Sequence, residues 1–314
     1  MKVLVWSERA TLAVQLRSFA GGAMAFASPA FELAWFEAAD PPAGFETVYG
    51  AAGARTDADW IVAALAETCR SIGPDMVLLG ATKLGLEVAP RLAERLGIAY
   101  GPWATTLAGD RAAGFQVDGM SFAGAAVTHQ TFSPGQLVAT ISTSVASAAP
   151  ELRASGLGAA VQIEVAAPPA RIEVLEERPR SAGGDGLESA RVVVDVGQGV
   201  RERADLSIVE SLAAALSASL ACSRPVAADR EWFPEWLGLS GSKVHPDLCI
   251  TVGVSGAVQH IVGIRDSRLV VAINNDESAP IFAQSDIGVL ADLYEFVPAL
   301  VRRLAERKAR PVDR

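Results

Sequence analysis

Short apolar runs alternate along the chain with stretches whose apolar residues recur every three or four positions. The run 2-KVLVW-6 reads as a buried strand and 31-FELAWFE-37 as a second, with a helical stretch around Leu12, Leu16 and Phe19 between them. Residues 57–72 put Trp60, Ile61, Ala64, Leu65 and Thr68 on one helical face, and Gly73-Pro74 ends that helix. The run 75-DMVLLGA-81 is another buried strand. Val88, Leu92 and Leu96 then recur at i, i+4, i+8 until Gly97 stops the next helix. Strand alternating with helix at this spacing predicts βαβ units and a mostly parallel sheet.

From 113 to 178 the texture changes to short strands between turn residues: 114-GFQVDG-119, 136-QLVATIS-142, 161-VQIEV-165 and 171-RIEVLEE-177. These predict an antiparallel edge or cap on the first domain. The segment 179-PRSAGGDGLESA-190 is rich in glycine, serine and charge and has no apolar period, which marks a linker. The expected organisation is an N-terminal domain over 1–180, a linker over 181–190 and a C-terminal domain over 191–314. The second half restarts the α/β pattern with strand 191-RVVVDV-196, a helix over 205–220, and strands 248-LCITV-252, 268-RLVVAIN-274 and 286-DIGVL-290. Pro298 disfavours an α conformation at Val297, so the last helix is expected to begin at Pro298, with 292-DLYEF-296 as a turn. The fold class is α/β: an N-terminal α/β domain with antiparallel additions, then a C-terminal doubly wound domain with a mostly parallel sheet.

The composition supports this and removes several functions. Half of the 314 residues are hydrophobic, enough for two packed cores, yet no apolar run reaches the length of a membrane span. The opening MKVLVWSERATL breaks its apolar run at Ser7-Glu8-Arg9 and does not read as a secretory signal. Cys69, Cys222 and Cys249 are far apart and lack metal-ligand spacing, so no metal site is expected and a reducing cytoplasm is the expected location. A net charge of −9 argues against nucleic acid. The basic cluster 302-RRLAERKARPVDR-314 reads as a solvated helix end.

Candidate chemistry gathers at three strand ends of the second half: 197-GQGV-200, 253-GVSGAVQH-260 and 274-NND-276. In open α/β sheets ligands bind beyond the carboxyl ends of the strands, where glycines let the backbone approach and exposed N–H groups meet anions. A dinucleotide is the natural guest. The GxGxxG spacing is missing, because Gly197-Gln198-Gly199 lacks the third glycine, which disfavours ordinary NAD binding.

The stretches 222-CSRP-225, 238-GLSGSKVHPDL-248, 252-VGVSGAVQHIVGIRDSRLVVAINNDESAPIF-282 and 286-DIGVLADLYEFVP-298 resemble the C-terminal domain of the electron-transfer flavoprotein alpha subunit family over about 120 residues, with 75-DMVLLGATKLGLEVAPRLAERLG-97 resembling its N-terminal domain. The resemblance implies FAD in the C-terminal domain and an N-terminal domain that contacts a beta subunit, itself holding AMP or a second FAD. It implies electrons arriving from flavoprotein dehydrogenases, such as acyl-CoA dehydrogenases, and leaving to a quinone oxidoreductase. The chain would carry electrons, with no catalytic residue acting on a substrate. His260 of SGAVQH would lie by the N1–C2=O2 edge of the flavin, Arg224 over its ring, where it would favour the negatively charged reduced flavin, and Ser240 by N5. Ser223, Leu237, Gly238 and Leu239 would also contact the cofactor. Ser255, Gly256, Ala257, Val258 and Gln259 would approach the ribityl and diphosphate, with Gln198 and Gly199 beside them. Asn274, Asp292 and Leu293 would hold the adenosine half. The chain departs from the family pattern at Gln198, where arginine is common, with Arg201 or Arg203 as candidate replacements, and at Leu239 and Ser242 in place of glutamine and lysine. Two further readings stay open: the alpha chain of an electron-bifurcating, NADH-oxidising complex, and a flavin-free structural homologue.

Overall fold

The computed structural model describes residues 1–24, 28–37, 40–51, 57–122, 126–150, 156, 158–166, 168–169, 176, 187 and 190–309. It divides into two compact units, Met1–Leu175 and Glu176–Arg314. Most of the expected linker lies outside the described residues; Leu187, within it, is buried in the core of the second unit.

In the first unit the order is β1 (Lys2–Trp6), α1 (Ala10–Ala23), β2 (Ala30–Ala34), β3 (Thr47–Ala51), α2 (Ala58–Ile72), β4 (Met76–Gly80), α3 (Lys83–Leu96), β5 (Ala99–Asp110), β6 (Gly114–Ser121), β7 (Ala126–Phe132), β8 (Leu137–Ile141), α4 (Thr143–Ala148) and β9 (Ala159–Ile163). These strands form one sheet in the order β7-β6-β5-β8-β4-β1-β2-β3-β9. Local chemistry sets the helix ends. Asp57 accepts the Trp60 N–H at 3.0 Å to start α2, and Thr82 accepts the Gly85 N–H at 3.0 Å to start α3. Gly73 and Gly97 close the two helices in the left-handed conformation. Every residue of β4 and β8 is buried, as expected of strands covered on both faces.

The antiparallel addition is real but smaller than the sequence suggests. Among the described residues, only β5–β6 and β6–β7 pair antiparallel. The strand 136–142 became β8, which lies parallel between β4 and β5, and 161–165 became β9, parallel to β3. Strands β3, β5 and β7 went unread because their apolar residues are sparse or interrupted by glycine and threonine. The strand expected over 171–177 lies, apart from residue 176, outside the described residues.

The second unit contains β10 (Val192–Val196), α5 (Leu206–Leu216), β11 (Ser219–Cys222), β12 (Leu248–Val252), α6 (Val258–Ile264), β13 (Val270–Asn274), β14 (Ile287–Leu290) and α7 (Leu293–Ala309). Its sheet is parallel throughout, in the order β11-β10-β12-β13-β14. Val194, Val196 and Ile250 on one face pack against α5 and α7, while Val193, Cys249 and Ala272 on the other meet Ile261 and Ile264 of α6 and the loop residues Leu237 and Val244. Helix-bearing layers on both faces make it doubly wound.

Two expectations are corrected here. The helix read over 205–220 stops at Leu216, Ser217 turns left-handed at φ 53°, and Ser219–Cys222 becomes an edge strand. The last helix begins at Leu293, with Pro298 inside it. Asp292 supplies the missing start signal by accepting the Tyr294 N–H at 2.8 Å. Leu293 and Val297 are both buried against the sheet, and this burial outweighs the one backbone hydrogen bond, to the Tyr294 carbonyl, that Pro298 gives up.

Candidate nucleotide and flavin site

The strand order of the second unit reverses at β10. The chain moves from β10 out to β11 and then crosses back to β12 on the opposite side, which opens a crevice between the exits of β10 and β12. The two loops at this point touch backbone to backbone. Gly197 N–H donates to the Val252 carbonyl at 2.9 Å and Gly199 N–H to the Gly253 carbonyl at 3.0 Å. Gly253 has φ +65°, and a Cβ there would lie 2.7 Å from the Gly199 Cα. Only glycines fit this contact.

A cavity of about 210 Å³ opens beside that contact. It gathers Gln198, Gly199, Asn274, Asp292 and Leu293, five residues separated by up to ninety-odd positions in sequence and all singled out from it. Arg201, Gly253, Asn275, Ala291 and Tyr294 complete the lining. Of these, Gly253 and Asn275 lie in strand ends already named as candidates and Arg201 was named as a replacement cation, whereas Ala291 and Tyr294 carried no site expectation, although both adjoin predicted residues. The site is better built than its sequence shows. Asn274 is buried, donates to the Val254 carbonyl at 2.8 Å and accepts the Asp276 N–H at 2.9 Å, so it ties the β12 exit to the β13 exit. Arg230 donates to the carbonyls of Val200 and Gln198 and stacks on Trp232 at 4.7 Å, bracing the 197–200 loop from a segment that carried no functional expectation.

The remaining predicted residues gather at the exits of β11 and β12. Ser223 is buried and donates its N–H to the Val196 carbonyl at 2.9 Å. Arg224 is exposed, with its guanidinium 5.9 Å from the centre of the Trp236 ring, and the Trp236 indole N–H points to the Ser240 hydroxyl at 3.4 Å. The 237–240 loop is fixed at both ends, Leu237 N–H to the Cys222 carbonyl and Leu239 N–H to the Gln259 carbonyl, each at 2.8 Å, with Gly238 between them. Ser255, Ala257, Val258 and Gln259 are exposed along the adjoining turn, while Gly256 is packed against Ile281. Leu239 and Val258 expose large apolar surface here, 54% and 63%. Helix α6 has only seven residues, so an anion here would meet the turn's own backbone more than a helix dipole.

His260 is buried, and both ring nitrogens face protein acceptors: Nδ1 meets the Leu237 carbonyl at 3.2 Å and Nε2 the Asp195 carboxylate at 2.7 Å. Two acceptors require two ring protons, so the arrangement fits an imidazolium. Burial opposes that charge. The attraction and hydrogen bond of Asp195, with the Leu237 carbonyl, outweigh it and leave the pKa above the ordinary 6.5. Asp195, on β10 and wholly buried, was not recognised from sequence; an acidic residue inside an otherwise valine strand was the available signal.

The class this geometry defines is a two-unit α/β protein whose second unit has a glycine-lined crevice at its switch point and an apolar-edged polar cluster beside it. Comparison with known families narrows the class. Residues 186–265 match the electron transfer flavoprotein FAD-binding domain, and residues 44–169 match the electron transfer flavoprotein domain. Protein FixB of Escherichia coli O139:H28 (strain E24377A / ETEC) is 35% identical over 244 residues, covering 77% of both chains. Protein FixB of Escherichia coli strains 55989 / EAEC and K12 / DH10B match at the same identity and coverage. The chain belongs to the electron-transfer flavoprotein alpha subunit family, and its FAD-binding-domain match points to a flavin as the ligand class.

Proposed function

We propose that this chain is the FAD-carrying alpha subunit of a two-subunit electron-transfer flavoprotein. It accepts electrons from flavoprotein dehydrogenases, acyl-CoA dehydrogenases among them, and delivers them to a quinone oxidoreductase, working with a beta subunit that holds AMP or a second FAD. The observation that carries this reading is the meeting of Gln198, Gly199, Asn274, Asp292 and Leu293 around one cavity at the switch point. The residues fit the group: the glycine contact admits a backbone-hugging ligand, and the cavity offers both a cation and a carboxylate. Bound FAD supplies the electron-accepting chemistry, and the chain's residues bind it, orient it and set its electrostatic surroundings.

In this reading the rim cavity takes the adenosine end, and the cluster at Arg224, Leu237–Ser240 and Ser255–Gln259 takes the flavin end. Arg224 contributes a permanent positive charge, since a guanidinium stays protonated. His260 is held behind the SGAVQH turn by Asp195 and the Leu237 carbonyl, and, against the opposing effect of burial, Asp195 raises its pKa and so favours the protonated ring. Exposed Leu239 and Val258 give a flat ring an apolar edge to cover. The buried thiols of Cys69, Cys222 and Cys249, each pushed up in pKa by burial, suit the cytoplasmic location proposed.

The test is to purify the chain with its co-expressed partner and count flavins by absorbance. One FAD per pair, reduced by an acyl-CoA dehydrogenase with its substrate, is the expected result. A pair that stays colourless after incubation with FAD overturns the reading. Two flavins, one of them reduced by NADH, would replace the simple carrier with a bifurcating complex.

A further inference from the structure

We propose that Arg201 is the residue that grips the diphosphate of the adenine dinucleotide, an assignment that rests on the flavin-carrying reading above. Among the residues lining the rim cavity, Arg201 alone bears a positive charge and Asp292 alone a negative one. Arg203 begins a 3-10 turn over Arg203–Asp205 and does not line the cavity, and Arg230, whose guanidinium is engaged by the Val200 and Gln198 carbonyls, does not line it either.

The fold holds Arg201 in place by several contacts. Its backbone N–H donates to the Tyr294 hydroxyl at 2.9 Å, and its guanidinium lies over the Tyr294 ring, 5.1 Å from the centroid. The Tyr294 hydroxyl donates in turn to Asp205 Oδ2 at 2.6 Å, and the same oxygen accepts the Glu202 N–H at 3.2 Å. Tyr294 stands in the first turn of α7, so this chain of contacts locks the loop after Gly199 to that helix. A guanidinium held over an aromatic ring keeps its charge and its forked N–H donors, which can meet two phosphate oxygens at once. Asp292 repels phosphate but accepts from sugar hydroxyls. Charge therefore sorts the cavity into a phosphate side at Arg201 and a ribose side at Asp292.

The assignment separates ligands that differ only in phosphate. Affinities of the full-length, nucleotide-free chain for FAD, ADP and adenosine are measured by calorimetry for the unmodified protein, Arg201→Ala and Tyr294→Phe. Loss of a charge-assisted contact weakens ADP and FAD about 10- to 100-fold in Arg201→Ala and leaves adenosine within about twofold. Tyr294→Phe keeps the stacking ring but removes the tether, so a smaller loss in the same direction is expected. Arg201 is exposed, so the alanine variant should keep the circular dichroism spectrum of the unmodified chain. Unchanged ADP affinity in Arg201→Ala, or an equal loss for adenosine, overturns the phosphate assignment and leaves the flavin reading standing. If the unmodified chain binds neither FAD nor ADP, both fall.

Discussion

Replacing Asp195 with asparagine probes the charge beneath the site. Asp195 is 0% exposed, its Oδ2 lies 2.7 Å from His260 Nε2, and its Oδ1 has no hydrogen-bond partner among the described residues, so His260 is the side-chain partner the carboxylate has there. The folded pKa of His260 lies above 6.5. Between 6.5 and that folded value the native state holds more protons than the unfolded chain, so this contribution is complete below 6.5 and is lost as pH rises through the folded value. Its slope reaches about 1.4 kcal/mol per pH unit at most. Asparagine is nearly isosteric and still accepts or donates a hydrogen bond, but the Coulomb attraction disappears. Burial, the largest influence on the ring, then prevails and brings the folded pKa below 6.5. The native state of the variant holds fewer protons in the window below 6.5, and there its stability rises with pH. The sign of the dependence inverts, and at pH 6 the variant should be about 1–3 kcal/mol less stable. The neighbouring thiols of Cys222 and Cys249 stay protonated through this range and do not mask the effect. The assay is a titration of the His260 ring resonances from pH 5 to 9, alongside thermal unfolding of both proteins across the same range. Identical His260 titrations, or parallel stability slopes, would refute the imidazolium assignment.

Three other perturbations bear on the reasoning. Gly253→Ala forces a Cβ to 2.7 Å from the Gly199 Cα at φ +65°, so it should separate the two rim loops and cost about 1–3 kcal/mol, with loss of nucleotide binding; unchanged binding by calorimetry would show the loops are not closely matched. Pro298→Ala restores a donor to the Tyr294 carbonyl inside α7 and should raise the melting temperature, with a gain on the order of 1 kcal/mol; a lower melting temperature would mean the proline is accommodated without strain. Arg224→Ala removes the fixed charge beside Trp236 and should lower the potential of the bound flavin by spectroelectrochemical titration, and an unchanged potential would place Arg224 away from the ring.

The parts of this protein legible in its sequence are those where one kind of burial dominates. Strands β1, β4, β10 and β12 are predominantly apolar five-residue segments, each broken by at most one polar residue, because both of their faces are covered, and their shortness between turn signals separates them from helices. The strand β11 was hidden because Ser219–Cys222 continues the alanine-rich texture of α5, and only the left-handed turn at Ser217 separates them. The start of α7 was misplaced by giving Pro298 too much weight. A proline argues against helix locally, but an N-terminal cap at Asp292 and two buried side chains act together over the whole first turn. The parallel placement of β8 and β9 depends on contacts with β4 and β3, sixty and more than a hundred residues away, which no local pattern encodes.

The candidate site shows a different limit. Residue types named a ligand-binding rim, but they did not reveal which polar atoms the fold had already used. Asn274 spends both ends of its amide on the exits of β12 and β13, His260 spends both ring nitrogens on Asp195 and Leu237, and Asp292 caps a helix. Those side chains shape the site as much as they line it. Their commitments leave the backbone of the 197–200 and 253–257 loops, together with Gln198, Asn275, Arg201 and the second carboxylate oxygen of Asp292, as the surface offered to a ligand. A rim whose Asn274, His260 and Asp292 side chains are already held by protein partners needs little rearrangement to bind a ligand. Affinity then rests on a few exposed charges placed by residues such as Tyr294 and Arg230, whose sequence positions gave no hint of the task.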